Sequence, residues 1–306
     1  MTLNEILVDI KSDRVKNVIF DSDTFNEMDD QYAIAHALGS PRINVLSINA
    51  ALFNNHRSES FADGMEKSYE EIGRVLNVCH RTGTVDTFKG CPTPISESEN
   101  FAPVDSPASR SIIKTAKESD DIVYILTTGA CTNVSSAIML DPSIMDKICV
   151  IWLGGHCLEH PNVDEFNLMQ DYRAGQYLLD CGVPLILLPA FGAEGHGTQM
   201  LRVDDEQLSV MKGSSDAVIF FRDTLPDEFR AETVEYAGRF ERIIWDIAAP
   251  AVLSVPEAFE FSIIPAPIFD ENCTYSFDVM RHKIIYMEKL DPAAVIKDAF
   301  ESIDRL

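Results

Sequence analysis

Between residues 16 and 188 the chain alternates short apolar runs with helix-periodic stretches, and this alternation narrows the choice of fold more than any other feature. An apolar run over 16–20 stops at Asp21, and a helical pattern starts near Asp29 with Ala33, Ile34, Ala37 and Leu38 on one face. Residues 45–50 read as a second strand. From Asp63 a long helix presents Met65, Tyr69, Ile72, Val75 and Leu76 at helical spacing, the stripe of a helix that faces a core. The rhythm continues with a strand at 122–127, a helix at 132–140, a strand at 148–153 ending in Gly154-Gly155, a helix at 171–179 and a strand at 184–188. It predicts an α/β protein with an open, mainly parallel sheet and helices on both faces. After Gly195 the pattern changes to two or three acidic amphipathic helices over 204–240 and a further helix near Trp245. Strand-like pieces over 260–288 and a closing helix over 292–306 follow. No internal repeat, low-complexity tract or long linker divides the chain, so one domain spanning 1–306 is expected.

Composition removes several classes of function. Lys plus Arg number 25 against 49 Asp plus Glu, and the formal charge of −24 repels phosphate backbones, which argues against a nucleic-acid polymer as partner. The longest apolar run, 183–193, is well short of the ~18 residues of a membrane helix and carries Gly192 and two prolines, so no membrane span is expected. The opening MTLNEILVDIKSD has charges where a secretory signal needs an apolar core, and the seven cysteines stand singly without a CxxC pair. Both features predict a cytoplasmic protein with reduced thiols.

In open parallel sheets ligands bind beyond the carboxyl ends of the strands, which gives weight to polar residues at 21–30, 49–55, 128–133 and 154–167. The first of these, Asp21-Ser22-Asp23-Thr24-Phe25-Asn26-Glu27-Met28-Asp29-Asp30, packs five carboxylates into ten residues. Two carboxylates about 4 Å apart repel by roughly 4 kcal/mol at an effective dielectric of 20. Helix capping accounts for Asp29 and Asp30, whose charge suits a helix start, but not for all five. A hard divalent cation relieves the rest, since Ca²⁺ takes six to eight oxygen ligands.

Two enzyme classes use such a segment. Val18-Ile19-Phe20-Asp21-Ser22-Asp23 resembles the strand and DxD start of haloacid-dehalogenase-type phosphatases, with Asp21 as nucleophile, but that leaves Asp29-Asp30 unexplained and finds no basic phosphate-binding residues nearby. The segment also resembles the start of the nucleoside hydrolase family, a DxD followed by a DD that opens a helix. Three more matches stand in order: Thr128-Gly129-Ala130-Cys131-Thr132-Asn133 resembles the G-x-x-T-N segment, Gly154-Gly155 with Glu165-Phe166-Asn167 and Asp171 resembles the ribose-binding G-G…E-F-N…D stretch, and Trp245-Asp246 opens a late helix where the last metal-ligating Asp is expected. Singly, each has a plain alternative: Thr132 as an N-cap, Glu165 and Asn167 as turn or cap residues, Trp245 as a core aromatic. Together they span Asp21 to Asp246.

The resemblance implies a Rossmann-like nucleoside hydrolase fold and a nucleoside as small-molecule substrate, in a homodimer or homotetramer. It implies Ca²⁺ held by Asp23, Asp30, the Thr132 carbonyl and Asp246, with Asp23 as general base toward the attacking water. Asp29, Glu165 and Asn167 would bind ribose hydroxyls, with Asn26, Asn54 and Asn162 as further sugar contacts. Many members carry His before the last Asp. Trp245 stands there in this chain, suited to stacking on a base, which favours purine nucleosides. His156 and His196 are candidate acids from other loops, with structural roles as the alternative. Thr24-Phe25 replace the family's Pro-Gly and Asp23 to Asp29 is two residues longer, so the loop is expected to bulge and leaves open which of Asp23, Asn26 and Glu27 faces the ion. A nucleoside- or ribose-binding protein that has lost its chemistry is the remaining alternative.

Overall fold

The computed structural model describes residues 1–306 except Glu271, with Tyr236 described by its backbone alone. The chain runs α1 (Leu3–Lys11), β1 (Lys16–Ser22), α2 (Asp29–Gly39), β2 (Ile43–Ala50), α3 (Phe61–Val78), β3 (Asp86–Phe88), α4 (Pro107–Glu118), β4 (Val123–Thr127) and α5 (Thr132–Leu140). It continues through β5 (Ile148–Leu153), α6 (Phe166–Gln170), α7 (Tyr172–Asp180) and β6 (Leu185–Leu188). Next come β7 (Arg202–Asp204), α8 (Asp205–Leu208), α9 (Asp216–Ile219), a π-helical turn (Phe220–Thr224), α10 (Leu225–Ala237) and β8 (Glu241–Ile243). A 3₁₀ turn (Trp245–Ile247) leads into α11 (Ala248–Ser254), β9 (Phe259–Pro265), the hairpin β10 (Ile268–Phe269) and β11 (Tyr275–Ser276), β12 (Lys283–Leu290) and α12 (Pro292–Ile303).

Eight strands pair in the order β3-β2-β1-β4-β5-β6-β12-β9. Every neighbouring pair is parallel except β12 with β9. The predicted open, mainly parallel sheet is therefore present. Winding runs outward through β2 and β3, then returns past β1 to β4, β5 and β6. The loops leaving β1 and β4 thus part in opposite directions and open a crevice at the carboxyl ends of the strands.

Side-chain alternation divides the core into two layers. Val18 and Phe20, Tyr124 and Leu126, and Cys149, Ile151 and Leu153 pack on one face. Ile19, Val123, Ile125, Val150 and Trp152 pack on the other. Strands apolar on both sides are what a covered parallel sheet requires.

Helix α2 is buried from Asp29 to Ala37, because α11 and α12 enclose the side that the sheet does not. Its end is fixed from outside the sheet: His36 Nε2 lies 2.7 Å from Asp298 Oδ2 on α12 and 3.0 Å from Ser254 Oγ on α11. Gly39 lets α12 approach, since a Cβ there would sit 2.0 Å from the Ser302 carbonyl oxygen. These contacts set the position of the helix start that carries Asp29 and Asp30.

Periodicity did not anticipate α1, α4 or β3. Helix α1 starts from a capping box between Thr2 and Glu5, and α4 from Ser106 with Pro107 at its first position. Strand β3 is three residues long, too short to show alternation. The expected acidic helices over 204–240 are α8, α9 and α10, the last two joined by the π turn. All seven cysteines are free thiols. Among the described residues no helix is long and apolar enough to cross a membrane.

Replacing Gly39 with alanine is expected to lower stability by about 1–3 kcal/mol, because the clash is with backbone and must push α12 aside. Urea unfolding measures this; an unchanged midpoint would show that the α2–α12 contact yields freely.

Candidate active site

A cavity of about 500 Å³ opens at the carboxyl ends of β1, β4, β5 and β6. Its deep end is acidic: Asp23, Asp29, Asp30, Glu165 and Asp246 all line it, and all are buried. Asp29, Asp30 and Asp246 each offer an oxygen within 4.8 Å of the others. Three elements bring them together: the loop after β1, the first turn of α2, and the 3₁₀ turn before α11.

These carboxylates differ sharply in their partners. Asp30 Oδ1 accepts from Ser22 Oγ at 2.6 Å and from Thr128 Oγ1 at 2.7 Å. Both oxygens of Asp23 are buried and have no hydrogen-bond donor among the described residues. Burial first, then the charges of Asp30 and Asp29, push the Asp23 carboxyl well above the usual carboxylate range. Asp246 is pushed well up by burial and by Asp29, Asp30 and Asp23. Asp29 is raised by burial, Glu27 and Asp30. For Asp30 burial again outweighs the hydroxyls of Ser22 and Thr128, which pull the other way. Buried acceptors without donors, set among mutually repelling oxygens, fit a hard divalent cation in both charge and ligand type.

The E-F-N segment frames the opposite side. Glu165 accepts from the backbone N–H groups of Gly155, Asn167 and Leu168 at 2.9–3.0 Å. Even so, burial raises its carboxyl to about 7. Asn167 Nδ2 donates to the carbonyls of Thr128 (2.9 Å) and Leu153 (3.1 Å), bridging the ends of β4 and β5. Gly155 adopts φ +69°, which favours glycine, and a Cβ there would meet the Tyr275 hydroxyl at 2.2 Å. Trp245 lines the cavity beside Asp246 and packs edge-on against Phe191, centroids 5.7 Å apart.

The longer first loop bulges and is held by side chains in place of a Pro-Gly turn. The hydroxyls of Ser22 and Thr24 lie 2.6 Å apart, and the Asn26 N–H donates to the Asp23 carbonyl at 2.7 Å. Arg57 Nε donates to the Phe25 carbonyl at 3.0 Å, and its guanidinium lies over the rings of Phe25 and Phe229. Arg242 pairs with Glu27 at 2.9 Å. Asp23, Asn26 and Glu27 therefore all face the cavity.

Six positions singled out in the sequence, Thr132, Asn54, Asn162, His196, Asp171 and Asp21, do not reach it. Thr132 begins α5 and its hydroxyl donates to Asp171 Oδ2 at 2.7 Å; Thr128, bonded to Asp30 and directly after β4, lines the cavity instead. Asn54 is exposed, with its backbone N–H on Gln170 Oε1 at 2.7 Å. Its neighbour Asn55 faces inward and donates to Asn26 Oδ1 at 2.6 Å. Asn162 is also exposed: its carbonyl bonds His160 Nδ1 and its side-chain oxygen accepts from the Asp164 N–H. His156 lines the cavity and His196 does not. Asp171 accepts from the N–H groups of Ile95, Ser96 and Ala174 as well as from Thr132, so it ties loops together outside the cavity. Asp21, the nucleophile of the phosphatase reading, is fully buried, accepts from Asn133 Nδ2 at 3.1 Å and lies outside the cavity, which removes that role.

Comparison with known proteins agrees with this geometry. The solved structure of the plant nucleoside hydrolase PpNRh1 superposes with a TM-score of 0.74 at 16% identity, covering 94% of this chain and 99% of that one. A purine-preferring ribonucleoside hydrolase from Gardnerella vaginalis superposes with a TM-score of 0.72 at 20% identity, covering 94% and 98%. Among curated sequences, the pyrimidine-specific ribonucleoside hydrolase RihA of Escherichia coli O1:K1 is 27% identical over 181 residues, 52% of this chain and 56% of RihA. RihB of Escherichia coli strain SE11 is 27% identical over 197 residues, 56% and 59%. These matches thus span little more than half the length of either relative. The model of the inosine-uridine preferring nucleoside hydrolase family matches residues 18–285, which include every carboxylate of the cavity, and the chain belongs to that family.

Proposed function

We propose that this protein hydrolyses the N-glycosidic bond of ribonucleosides with Ca²⁺ as cofactor, releasing ribose and free base, and that it favours purine nucleosides. The observation that carries the reading is the partnerless, buried carboxylate of Asp23 among Asp29, Asp30 and Asp246, in a cavity with an aromatic wall at its other end. Asp23, Asp30, Asp246 and Thr128 are the residues that would hold the cation. Bound there, it supplies the positive charge that lets these groups ionise together, lowers the pKa of water and gathers the vicinal hydroxyls of ribose.

The chain's own residues supply the rest. Asp23, whose carboxylate has no donor among the described residues, takes the proton of the water that attacks C1′. Asp29 and Glu165 accept hydrogen bonds from ribose hydroxyls. Asn167, both of whose amide hydrogens are spent on backbone carbonyls, offers its Oδ1 to another. Fixing the sugar this way holds the anomeric carbon against the water. Trp245 stacks on the departing base, and this supports the purine preference, since the larger ring system gains more from a π face. The relatives' names fall on both sides of that choice, pyrimidine-specific for RihA and purine-preferring for the Gardnerella enzyme.

Reducing-sugar release from inosine, adenosine, guanosine, uridine and cytidine, before and after EDTA dialysis and Ca²⁺ return, tests the reading. Ca²⁺-dependent release with a purine bias is expected, and Asp23→Asn is expected to lower kcat at least about 10²-fold. An Asp23→Asn protein with full turnover would remove the assignment.

The same cluster makes stability depend on cation and pH together. The raised carboxyls, Glu165 at about 7 and the aspartates above their usual range, stabilise the fold below pH ~4, and that contribution is lost as pH rises through 7. The EDTA-treated protein should therefore lose thermal midpoint between pH 5 and pH 8. A hundredfold excess of Ca²⁺ over its Kd should return about 4 °C at pH 8. If Ca²⁺ leaves the midpoint at pH 8 where it was, the cluster binds no such ion.

A further inference from the structure

Beyond the carboxylates the cavity ends in a group of aromatic rings. His156 lies 4.8 Å from Phe191 and 4.6 Å from His160, centroid to centroid, and Phe191 meets Trp245 edge-on. His156, Phe191 and Trp245 line the cavity, while His160 is anchored behind them by the Asn162 carbonyl. His156 is 6% exposed. Its Nδ1 accepts from the Phe191 N–H at 3.4 Å, which leaves the proton of the neutral ring on Nε2. Apart from the Phe191 N–H and a backbone interaction with Gly155, the His156 ring has no hydrogen-bond partner among the described residues, and its Nε2 is not among the buried polar atoms lacking one, which leaves it accessible in a residue that lines the cavity.

We propose that His156 contacts the departing base, donating a hydrogen bond from Nε2–H to a ring nitrogen or carbonyl oxygen while the base lies against Phe191 and Trp245. The proposal rests on the hydrolase reading above. Sugar hydroxyls suit the acidic end, whereas a flat heterocycle with acceptor edges suits the rings. Trp245 joins the two ends because Asp246 follows it directly. Burial, and then His160, hold the His156 imidazole down to about 4, so near neutral pH it is an uncharged donor rather than a proton source. A fixed donor of this kind strengthens its bond as negative charge grows on the leaving ring.

His156→Phe keeps a ring in place and removes the donor, whereas His156→Gln retains an N–H. Against inosine and uridine, the Phe variant should lose about 10- to 100-fold in kcat/KM and the Gln variant should recover part of it. Against p-nitrophenyl β-D-ribofuranoside, whose nitrophenolate leaves unaided, both should stay within about threefold of the parent. Equal losses on the two substrate classes, or none on either, would overturn the proposal. A second readout does not depend on turnover: free hypoxanthine and uracil should quench the fluorescence of Trp245, Trp152 being wholly buried, and should bind about tenfold more weakly to the Phe variant at an unchanged thermal midpoint. If the parent cleaves no substrate, the hydrolase reading fails while this titration still decides the role of His156. Unchanged base affinity in the Phe variant, or no quenching in the parent, overturns it.

Discussion

Burying several carboxylates at one point is the constraint to which the surrounding structure answers. The fold meets it unevenly. At the edges the acids are well supplied with donors: Asp171 by three backbone N–H groups and a hydroxyl, Glu165 by three backbone N–H groups. Toward the centre the donors thin out, to two hydroxyls on Asp30 and none on Asp23. A folded chain seldom leaves buried acceptors unmet, because each forfeits its hydration without replacement. The contrast marks Asp23 as the acid that the frame leaves open.

The frame comes from the sheet. Because the winding reverses between β1 and β4, the chain can bring Asp23, Thr128 and Asn167 to one crevice from separate strand ends. The start of α2 enters it from the side, with its far end held by Asp298 and Ser254. The bulged first loop is secured differently, by Arg57 and Arg242, which reach it from the loop after β2 and from β8 respectively. Its conformation depends on side chains from other elements, and so Pro-Gly can be absent without loss of a defined wall.

The strand–helix rhythm, the direction of the sheet and the acidic crevice were legible in the sequence, because each rests on local periodicity and on where polar residues follow apolar runs. What was not legible involved distances of a few residues. Thr132 and Thr128 both follow β4, and only the path of the turn shows that the nearer one meets Asp30. Asn54 and Asn55 differ by one position, and the turn that follows leaves the first exposed while the second lines the cavity. Asn162 sits in the expected loop but spends its polar groups within it, holding His160 and Asp164. Helix α4 did carry a readable start, Ser106-Pro107, but its position in the chain was masked by a stretch without strand pattern.

The two rims of the sheet are unalike. On one side the last strand, β3, is three residues long. On the other, β9 runs seven residues, antiparallel to its neighbour, and ends in Pro265. A row of unpaired backbone groups is a template on which another chain can add a strand, and short strands or prolines are how proteins blunt it. Here that template is confined almost wholly to β9. With a formal charge of −24 opposing non-specific association, the architecture carries a long parallel sheet with little exposure to edge-to-edge aggregation.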